Sequence, residues 1–436
     1  MAMRPPLLSE YDPLLEGEGS IDPMGLGAAY ERLADRLLPA VTVRMGRPRF
    51  VTALAIGAHV CQEWSAETLA ADGVTPAWLV YEWYVVEAFV RESGELAEGQ
   101  RIPGVLKATA ALRNQRPICA SSYLKTPKVF GFTGIFRRLA RHLRVLTEDG
   151  RLDDAGYELV GAWSRDQGLA GFIDGRQCPG SDLRSRLRQA VAAGMESGWT
   201  TAQPKKFWTE IAARLDPSKP GDRERSVLLQ AIGDRAGPAN TMRQLIAALT
   251  ARRVPLEFEE ESHFVRDLAK TADAELLPLI TAILAFERYS RILLDGFDWI
   301  RHISSSSLGT LIGPKEFAGE DRHHCLRDLP DAIRAMRAHP SLLEWEPELE
   351  KTLIRFQDIR TPADLYDNLL EHHDSVQRDK PPNGKRSWFE REDRGNRVLV
   401  RPDYLLAEAP VARSEHVHDY RVPTLSRFLK DLGAFQ

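Results

Sequence analysis

The sequence contains few cysteines, and their spacing matches no metal-binding motif. Cys61, Cys119, Cys178 and Cys325 lie far apart and never form a CxxC pair. Such spacing supports neither a zinc knuckle nor a disulfide framework. Because free cysteine usually behaves as a small buried hydrophobic residue, we expect four reduced, mostly buried thiols.

Long apolar runs are also missing. No stretch approaches the ~18 apolar residues of a membrane span, and the beginning of the chain, MAMRPPLLSEYDPLLEGEG, lacks the apolar core of a signal peptide. We therefore expect a cytoplasmic protein with no membrane partner.

The motifs that mark common catalytic sites are absent as well. The chain has no GxxxxGK[ST] loop, no GxGxxG after a strand, no GxSxG elbow and no HExxH helix. Neither a PD…ExK nuclease core nor an HxK pair stands out, and no two carboxylates have the spacing of an acid–base pair. These absences favour a non-enzymatic protein that needs no cofactor and binds no metal.

What the chain does contain is typical of a globular protein. Of its 436 residues, 43% are hydrophobic and 28% are charged, which is enough apolar material for two to four domains. The net charge of −4 gives no general attraction to nucleic acid. Any contact with DNA must therefore come from a local basic patch.

Apolar periodicity predicts helices through most of the chain. The strongest helical pattern covers residues 275–303, whereas SWFERED and RVLVRPDY, joined by an RGN turn, predict a β-hairpin before a terminal helix. We predict a mostly α, multi-domain helical protein with a winged-helix-like segment and a small C-terminal β-hairpin. Its predicted divisions are a flexible arm (1–20), an N-terminal helical domain (21–98), a winged-helix-like domain (99–175), a helical domain (176–380) and a β-hairpin with a terminal helix (381–436).

Residues 134–160, GIFRRLARHLRVLTEDGRLDDAGYELV, carry the winged-helix prediction. Their pattern predicts a helix from Thr133 to Leu146, a turn at Asp149-Gly150 and a second helix capped by Asp153. The run L-T-x-x-G-R-L-x-x-x-G resembles bacterial members of the winged-helix superfamily. This resemblance covers roughly residues 100–170 and implies a fold that often contacts DNA.

Basic residues concentrate in this segment. Residues 132–151 contain five arginines and two acidic residues. Arginine neutralises phosphate charge and forms forked hydrogen bonds, so the predicted DNA contacts are Arg137, Arg138, Arg141 and Arg144 on the helix and Arg151 in the wing. The alternatives are docking to an acidic protein partner and a plain solvated face, because fold does not imply function.

A second basic stretch, EHHDSVQRDKPPNGKRSWFERED, begins at Glu371. Lys380, Lys385 and Arg386 surround a Pro-Pro-Asn-Gly turn beside Trp388. Cations suit a phosphate backbone and an aromatic ring can stack on a base, so these four residues form a second predicted nucleic-acid contact. The alternative is a solvated hairpin whose tryptophan packs on the preceding helix.

Three further arginines lie in the turn TVRMGRPRF between two apolar helices. Arg44, Arg47 and Arg49 are expected to be exposed there. Phosphate contacts and carboxylate partners elsewhere in the chain are both compatible with this pattern.

The histidines suggest a metal site only weakly. DRHHC (321–325) with His372 and His373 lacks a diagnostic ligand spacing. His416 and His418 alternate before Asp419, and we expect these residues on the surface.

Three features resemble a loose group of uncharacterised bacterial proteins encoded in defence islands. They are DPMGLGAAYERLADRLLPAVTVRMGRPRF, KTPKVFGFTGIFRRLARHL and the helical C-terminal half. The resemblance implies a non-enzymatic, DNA-engaging accessory subunit of an antiphage complex. It also implies double-stranded DNA and a helicase, nuclease or methyltransferase as partners. The alternatives are a protein-interaction scaffold that never contacts DNA and an unrecognised metal-dependent nuclease or hydrolase that uses His372.

Overall fold

The structure is a computed structural model, and it folds into two compact units. One unit combines the described residues up to Ala34 with Glu259–Asp419, and the other combines Asp35–Phe258 with the residues from Tyr420 onward. The described residues are 22–65, 67–93, 102–307, 309–319, 323–339, 342, 347–381, 383–392, 396–411 and 416–435. The predicted arm over 1–20 lies outside them.

The two units differ sharply in charge. Residues 1–34 and 259–419 contain 37 aspartates and glutamates against 24 lysines and arginines, a net charge of −13. Residues 35–258 and 420–436 contain 25 against 34, a net charge of +9. We call these two parts of the protein the acidic unit and the basic unit.

The prediction of a mostly α fold with a small C-terminal β-hairpin is confirmed. Helix α1 (Gly27–Leu37) runs across the division between the units. The other helices of the basic unit are α2 (Phe50–Val60), α3 (Ala77–Ser93), α4 (Val105–Arg113), α5 (Pro127–Phe130), α6 (Phe132–His142), α7 (Asp154–Asp166), α8 (Pro179–Ser197), α9 (Lys205–Arg214), α10 (Asp222–Arg235), α11 (Ala239–Ala251) and α18 (Val422–Asp431). Those of the acidic unit are α12 (Glu261–Leu268), α13 (Leu277–Ser306), α14 (Pro314–Phe317), α15 (His323–Arg337), α16 (Pro347–Phe356) and α17 (Pro362–Asp379).

The basic unit is built around α2 and α3. The sequence of α2, FVTALAIGAHV, has no polar face, and nearly all of its residues are buried. Helices α6 and α7 pack against α2, while α8 and α9 pack against α3. An all-round apolar helix needs neighbours on every side, so α2 and α3 fix the position of α6.

The acidic unit is built around α13. This helix of 30 residues covers the segment with the strongest predicted periodicity. Helices α12, α15 and α17 pack against it, as does strand β2 (Val398–Val400). Strand β1 (Phe389–Arg391) pairs antiparallel with β2, with Phe389 opposite Val400. No helix within the described residues combines the length and apolarity that crossing a bilayer requires.

Candidate nucleic-acid interface

Helix α6 separates its apolar and basic side chains onto two faces. Phe132, Phe136, Leu139 and Ala140 are buried. The ring of Phe136 lies 5.6 Å from that of Phe50 on α2. Arg137, Arg138 and Arg141 follow at the i, i+1 and i+4 positions of the opposite face. Burial of the aromatic face therefore turns the three arginines outward.

Helix α6 ends four residues before the predicted end at Leu146. Arg144 has a positive φ of 58°, a left-handed conformation that ends helices. The amide of Val145 donates to the carbonyl of Ala140 at 2.8 Å, and that of Arg144 donates to Arg141 at 2.9 Å. This Schellman arrangement ends the helix before Arg144.

The predicted wing is a short turn pinned by one bridge. Leu146 and Leu152 form a single antiparallel bridge, and the amide of Thr147 donates to the carbonyl of Arg151 at 2.9 Å. Gly150 adopts a φ of 86°, which glycine tolerates without strain. The order of helix, turn and helix over residues 132–166 agrees with the prediction, but the hairpin contains no β-ladder.

An open cleft of about 740 Å³ runs along the basic face of α6. It is lined by Pro39, Ala40, Gly134, Arg137, Arg138, Arg141, His142 and Glu148. Glu148 supplies the only carboxylate among these lining residues, and it lies 3.5 Å from the guanidinium of Arg141. Three guanidinium groups against one carboxylate give the lining an excess of positive charge, which suits an anion.

Two of the cleft arginines are held by neighbouring groups. Arg141 donates to the backbone carbonyl of Glu148. Arg138 pairs with Asp35, which also accepts from Arg421 at 2.8 Å. Although burial works in the opposite direction, hydrogen bonds from Arg421 and Arg138 lower the pKa of Asp35. These bonds position two guanidinium groups at the cleft without covering them.

Arg137 differs from its neighbours. Its half-buried guanidinium has no hydrogen-bond or ion-pair partner among the described residues. Burial lowers the pKa of Arg137, and the positive charge of Arg141 lowers it further. A bound anion stabilises a half-buried cation that lies beside a second cation. Of the three cleft arginines, Arg137 should therefore be stabilised most by an anionic ligand.

The two remaining predicted contacts of this segment face acidic groups of their own chain. Arg144 lies 3.4 Å from Asp153 and 3.6 Å from Asp154. Arg151 lies 3.2 Å from Asp149. Neither arginine lines the cleft, so the structure brings together three of the five predicted arginines.

The arginines of TVRMGRPRF have three different environments. Arg44 is exposed and lies over the ring of Phe130, 4.8 Å from its centroid. Arg47 forms an ion pair with Asp431 at 2.6 Å. The expected exposure of Arg49 is wrong, because only 2% of this residue is accessible.

Arg49 is instead a buried structural cation. Its guanidinium donates to Glu224 at 3.0 Å and to the carbonyl of Arg214 at 3.0 Å. A further bond reaches the carbonyl of Asp216. Because its guanidinium is buried and already donates these hydrogen bonds, Arg49 cannot contact phosphate in the folded protein.

The second predicted contact also differs from expectation. Trp388 is only 6% exposed, and its ring stacks on that of Tyr404 at 4.3 Å. The prediction that Trp388 could stack on a base is therefore wrong, and the alternative of a packed tryptophan is correct. Lys380 donates to the carbonyl of Asp22, whereas Lys385 and Arg386 line a pocket in the acidic unit.

The histidines that suggested a metal are engaged in packing. The amide of Trp388 donates to Nε2 of His373 at 3.0 Å, so the proton is on Nδ1, which donates to the carbonyl of Pro23 at 2.8 Å. Burial lowers the pKa of His373 to about 4. His372 bonds the carbonyl of Met24 at 2.9 Å. No cluster of three or more metal-ligating side chains occurs in the described part of the chain.

His416 and His418, expected at the surface, are half-buried rather than freely exposed. The ring of His418 stacks on that of Tyr30 at 4.7 Å, and its Nδ1 lies 2.7 Å from the buried carboxylate of Glu287. Burial lowers the pKa of His416 to about 4. The residues Asp321 and Arg322 of the DRHHC segment lie outside the described residues.

Sequence reasoning missed the group that caps α6. Glu82 is fully buried on α3, where it accepts from the Thr133 amide at 2.8 Å and the Tyr123 hydroxyl at 2.9 Å. Burial raises the pKa of Glu82 to about 7. The one available signal was a glutamate within the apolar run AWLVYEWYVV.

The four cysteines are free thiols that differ in burial. Cys61 and Cys325 are buried, while Cys119 and Cys178 are half-buried.

No protein-family model, no curated protein and no solved structure matches this chain.

Proposed function

We propose that the basic unit binds the phosphate backbone of double-stranded DNA along the open face of α6. The observation that carries this proposal is Arg137, a half-buried cation that has no hydrogen-bond or ion-pair partner among the described residues and lines one cleft with Arg138 and Arg141. Phosphate oxygens supply the negative charge and the acceptors that three guanidinium groups require.

The charge of the basic unit supports the same ligand. An excess of nine positive charges attracts a polyanion over distances longer than a contact. The proposed contacts are to phosphates, which do not read bases. We therefore expect binding that depends strongly on salt and weakly on DNA sequence.

Fluorescence anisotropy with a labelled duplex of about 30 base pairs tests the proposal. Each phosphate contact contributes about −0.9 to the slope of log K against log salt concentration. The variant Arg137→Ala/Arg138→Ala/Arg141→Ala should therefore lose roughly 2.7 of that slope between about 50 mM and 200 mM salt. An unchanged slope would rule out α6 as the contact.

A matched control removes the same number of charges from another part of the basic unit. Lys205, Lys206 and Arg243 are exposed. Replacing these three residues by alanine should leave most of the salt slope intact. If both triple variants weaken binding equally, net charge rather than the cleft determines affinity.

The alternative of a scaffold becomes testable with the same variants. An acidic protein surface could occupy the cleft in place of DNA, since carboxylates also pair with arginine. A wild-type protein that binds no duplex at low salt would favour this alternative. The proposed place in a bacterial antiphage complex, beside a helicase, nuclease or methyltransferase, is tested by pull-down from cells that express such a system.

A further inference from the structure

A second cluster of cations belongs to the acidic unit and shares no residue with the proposed DNA contact. Arg378, Lys385, Arg386 and Arg391 line an open pocket of about 580 Å³. One carboxylate, Asp374, is present in the lining, and it pairs with Arg391 at 2.7 Å. The formal charges of the side chains that line the pocket therefore sum to about +3, within a unit whose net charge is −13.

The backbone around this pocket is held by several hydrogen bonds. The amide of Lys385 donates to the carbonyl of Gln377 at 2.7 Å, and that of Gly384 donates to the carbonyl of Lys380 at 2.7 Å. Gly384 adopts a φ of 79°, which allows the loop to fold back on the end of α17. The buried ring of Phe389 lies 5.5 Å from that of Phe297 on α13.

We propose that this pocket binds the phosphate groups of a phosphorylated small molecule. Guanidinium groups at the end of α17, in the following loop and on β1 converge on one space, so they match a compact anion with several acceptors. The pocket volume falls in the range of small-molecule sites. Asn383 and Ser387 add neutral hydrogen-bonding groups to the lining.

A DNA duplex is a poor match for the same pocket. A polyanion that reached these cations would extend over a unit with 13 excess negative charges. Trp388, the aromatic residue that could have stacked on a base, is buried against Tyr404. A small ligand occupies only the pocket, so the negative charge of the rest of the unit repels it less than it repels a polyanion.

Isothermal titration calorimetry of the full chain with three phosphate probes tests the proposal. Inorganic phosphate, pyrophosphate and ATP, each in the presence of EDTA, should bind with affinity that rises with negative charge, whereas adenosine should not bind. Arg378→Ala/Arg386→Ala should weaken binding of pyrophosphate and ATP about tenfold or more, because charge-assisted hydrogen bonds are lost. The control Lys351→Ala/Arg360→Ala removes two exposed cations of the same unit and should leave affinity unchanged.

The lysine variant Arg378→Lys/Arg386→Lys keeps the charge but removes the forked donors, so its affinity should fall between those of wild type and the alanine variant. If circular dichroism shows that the alanine variant does not fold, the lysine variant takes its place in the binding measurement. Absence of any heat signal at about 1 mM pyrophosphate and ATP would overturn the proposal. Equal weakening by the control variant would overturn it as well. Neither result depends on the α6 variants.

Discussion

In the basic unit, arginines follow one another along the open face of α6, whereas in the acidic unit cations from a helix end, a loop and a strand converge on one pocket. A row of cations matches an extended polyanion, and a convergent set matches a compact one. The difference shows that the net charge of −4 describes neither region. The spatial arrangement of the cations determines which anions bind, and the net charge of the whole chain does not reveal that arrangement.

The buried polar groups of the two units differ in the same way. The basic unit buries an ion pair, Arg49 with Glu224. The acidic unit buries a neutral histidine, His373, whose two ring nitrogens bond backbone groups. A buried ion pair is sensitive to the loss of either partner, whereas a buried neutral histidine is sensitive to protonation.

The largest expected effect is the loss of the buried ion pair. Arg49→Ala leaves the Glu224 carboxylate buried without its cation, so the free energy of unfolding should fall by about 3–5 kcal/mol. Urea denaturation followed by circular dichroism measures the change. Arg243→Ala on the exposed face of α11 is the control and should stay within about 0.5 kcal/mol of wild type. A loss below about 1 kcal/mol for Arg49→Ala would show that the pair does not hold the basic unit together.

A change of pH should move the stabilities of the two units in opposite directions. His373 has a depressed pKa of about 4, so the unfolded chain binds the proton first and this contribution is lost as the pH falls below about 6.5. Between pH 7 and pH 5 the loss is about 2 kcal/mol. Glu82 has a raised pKa of about 7, so the folded chain binds the proton first and stability increases by about 2 kcal/mol over the same interval.

Hydrogen exchange, corrected for intrinsic rates at each pH, separates these effects. Peptides from α17 report on the acidic unit and peptides from α6 on the basic unit. In the acidic unit, His416, whose pKa burial also lowers to about 4, adds to the loss, and Asp295, with a pKa raised by burial to about 6, partly offsets it. In the basic unit, burial lowers the pKa of His59, which partly offsets the gain from Glu82. Glu82→Gln should abolish the gain in α6 but leave α17 unchanged. Parallel changes in both units would contradict the comparison.

A single substitution should distinguish the binding arginine from its neighbour past the helix end. Arg137→Ala should weaken duplex binding about tenfold, since one desolvated charge-assisted contact is lost. Arg144→Ala should change affinity by less than about twofold, because Arg144 faces Asp153 and Asp154 instead of the cleft. Anisotropy at low salt measures both.

The two cation sites should also be independent of each other. Arg378→Ala/Arg386→Ala should leave duplex affinity unchanged, and the α6 triple variant should leave ATP affinity unchanged. A loss of duplex binding in the pocket variant would mean that DNA reaches the acidic unit.

The smallest expected effect concerns the backbone that ends α6. Arg144 has a left-handed conformation that glycine adopts freely and residues with a β-carbon do not. Arg144→Gly should therefore be more stable than Arg144→Ala by about 1 kcal/mol, although both lose the same surface ion pairs. Thermal denaturation of the two variants measures this difference, and equal melting temperatures would exclude strain at this position.

Elements with a local sequence signal were predicted well. The periodic segment 275–303 forms α13, and the segments on either side of RGN form the β-hairpin. The end of α6 was not predicted, because an arginine rather than a glycine has the left-handed conformation. Residue type alone carries no signal for that choice.

The environments of individual cations were predicted less well, since they depend on partners far away in the chain. Arg49 and its partner Glu224 are separated by 175 residues, and Arg138 and Asp35 by 103. Trp388 is buried because its ring stacks on that of Tyr404 and lies beside Phe297. No short stretch of sequence contains these pairs.

The sequence by itself determined the helices and the presence of a basic face on α6, because helical spacing of apolar and basic residues is a property of neighbours along the chain. Only the tertiary structure decided which cations are available. Arg49 is buried and cannot reach a ligand, and Arg144 forms an ion pair with Asp153. Arg137 has no partner among the described residues. The physical reason is that desolvation and Coulomb interactions depend on distance in space, which folding sets between residues more than a hundred positions apart.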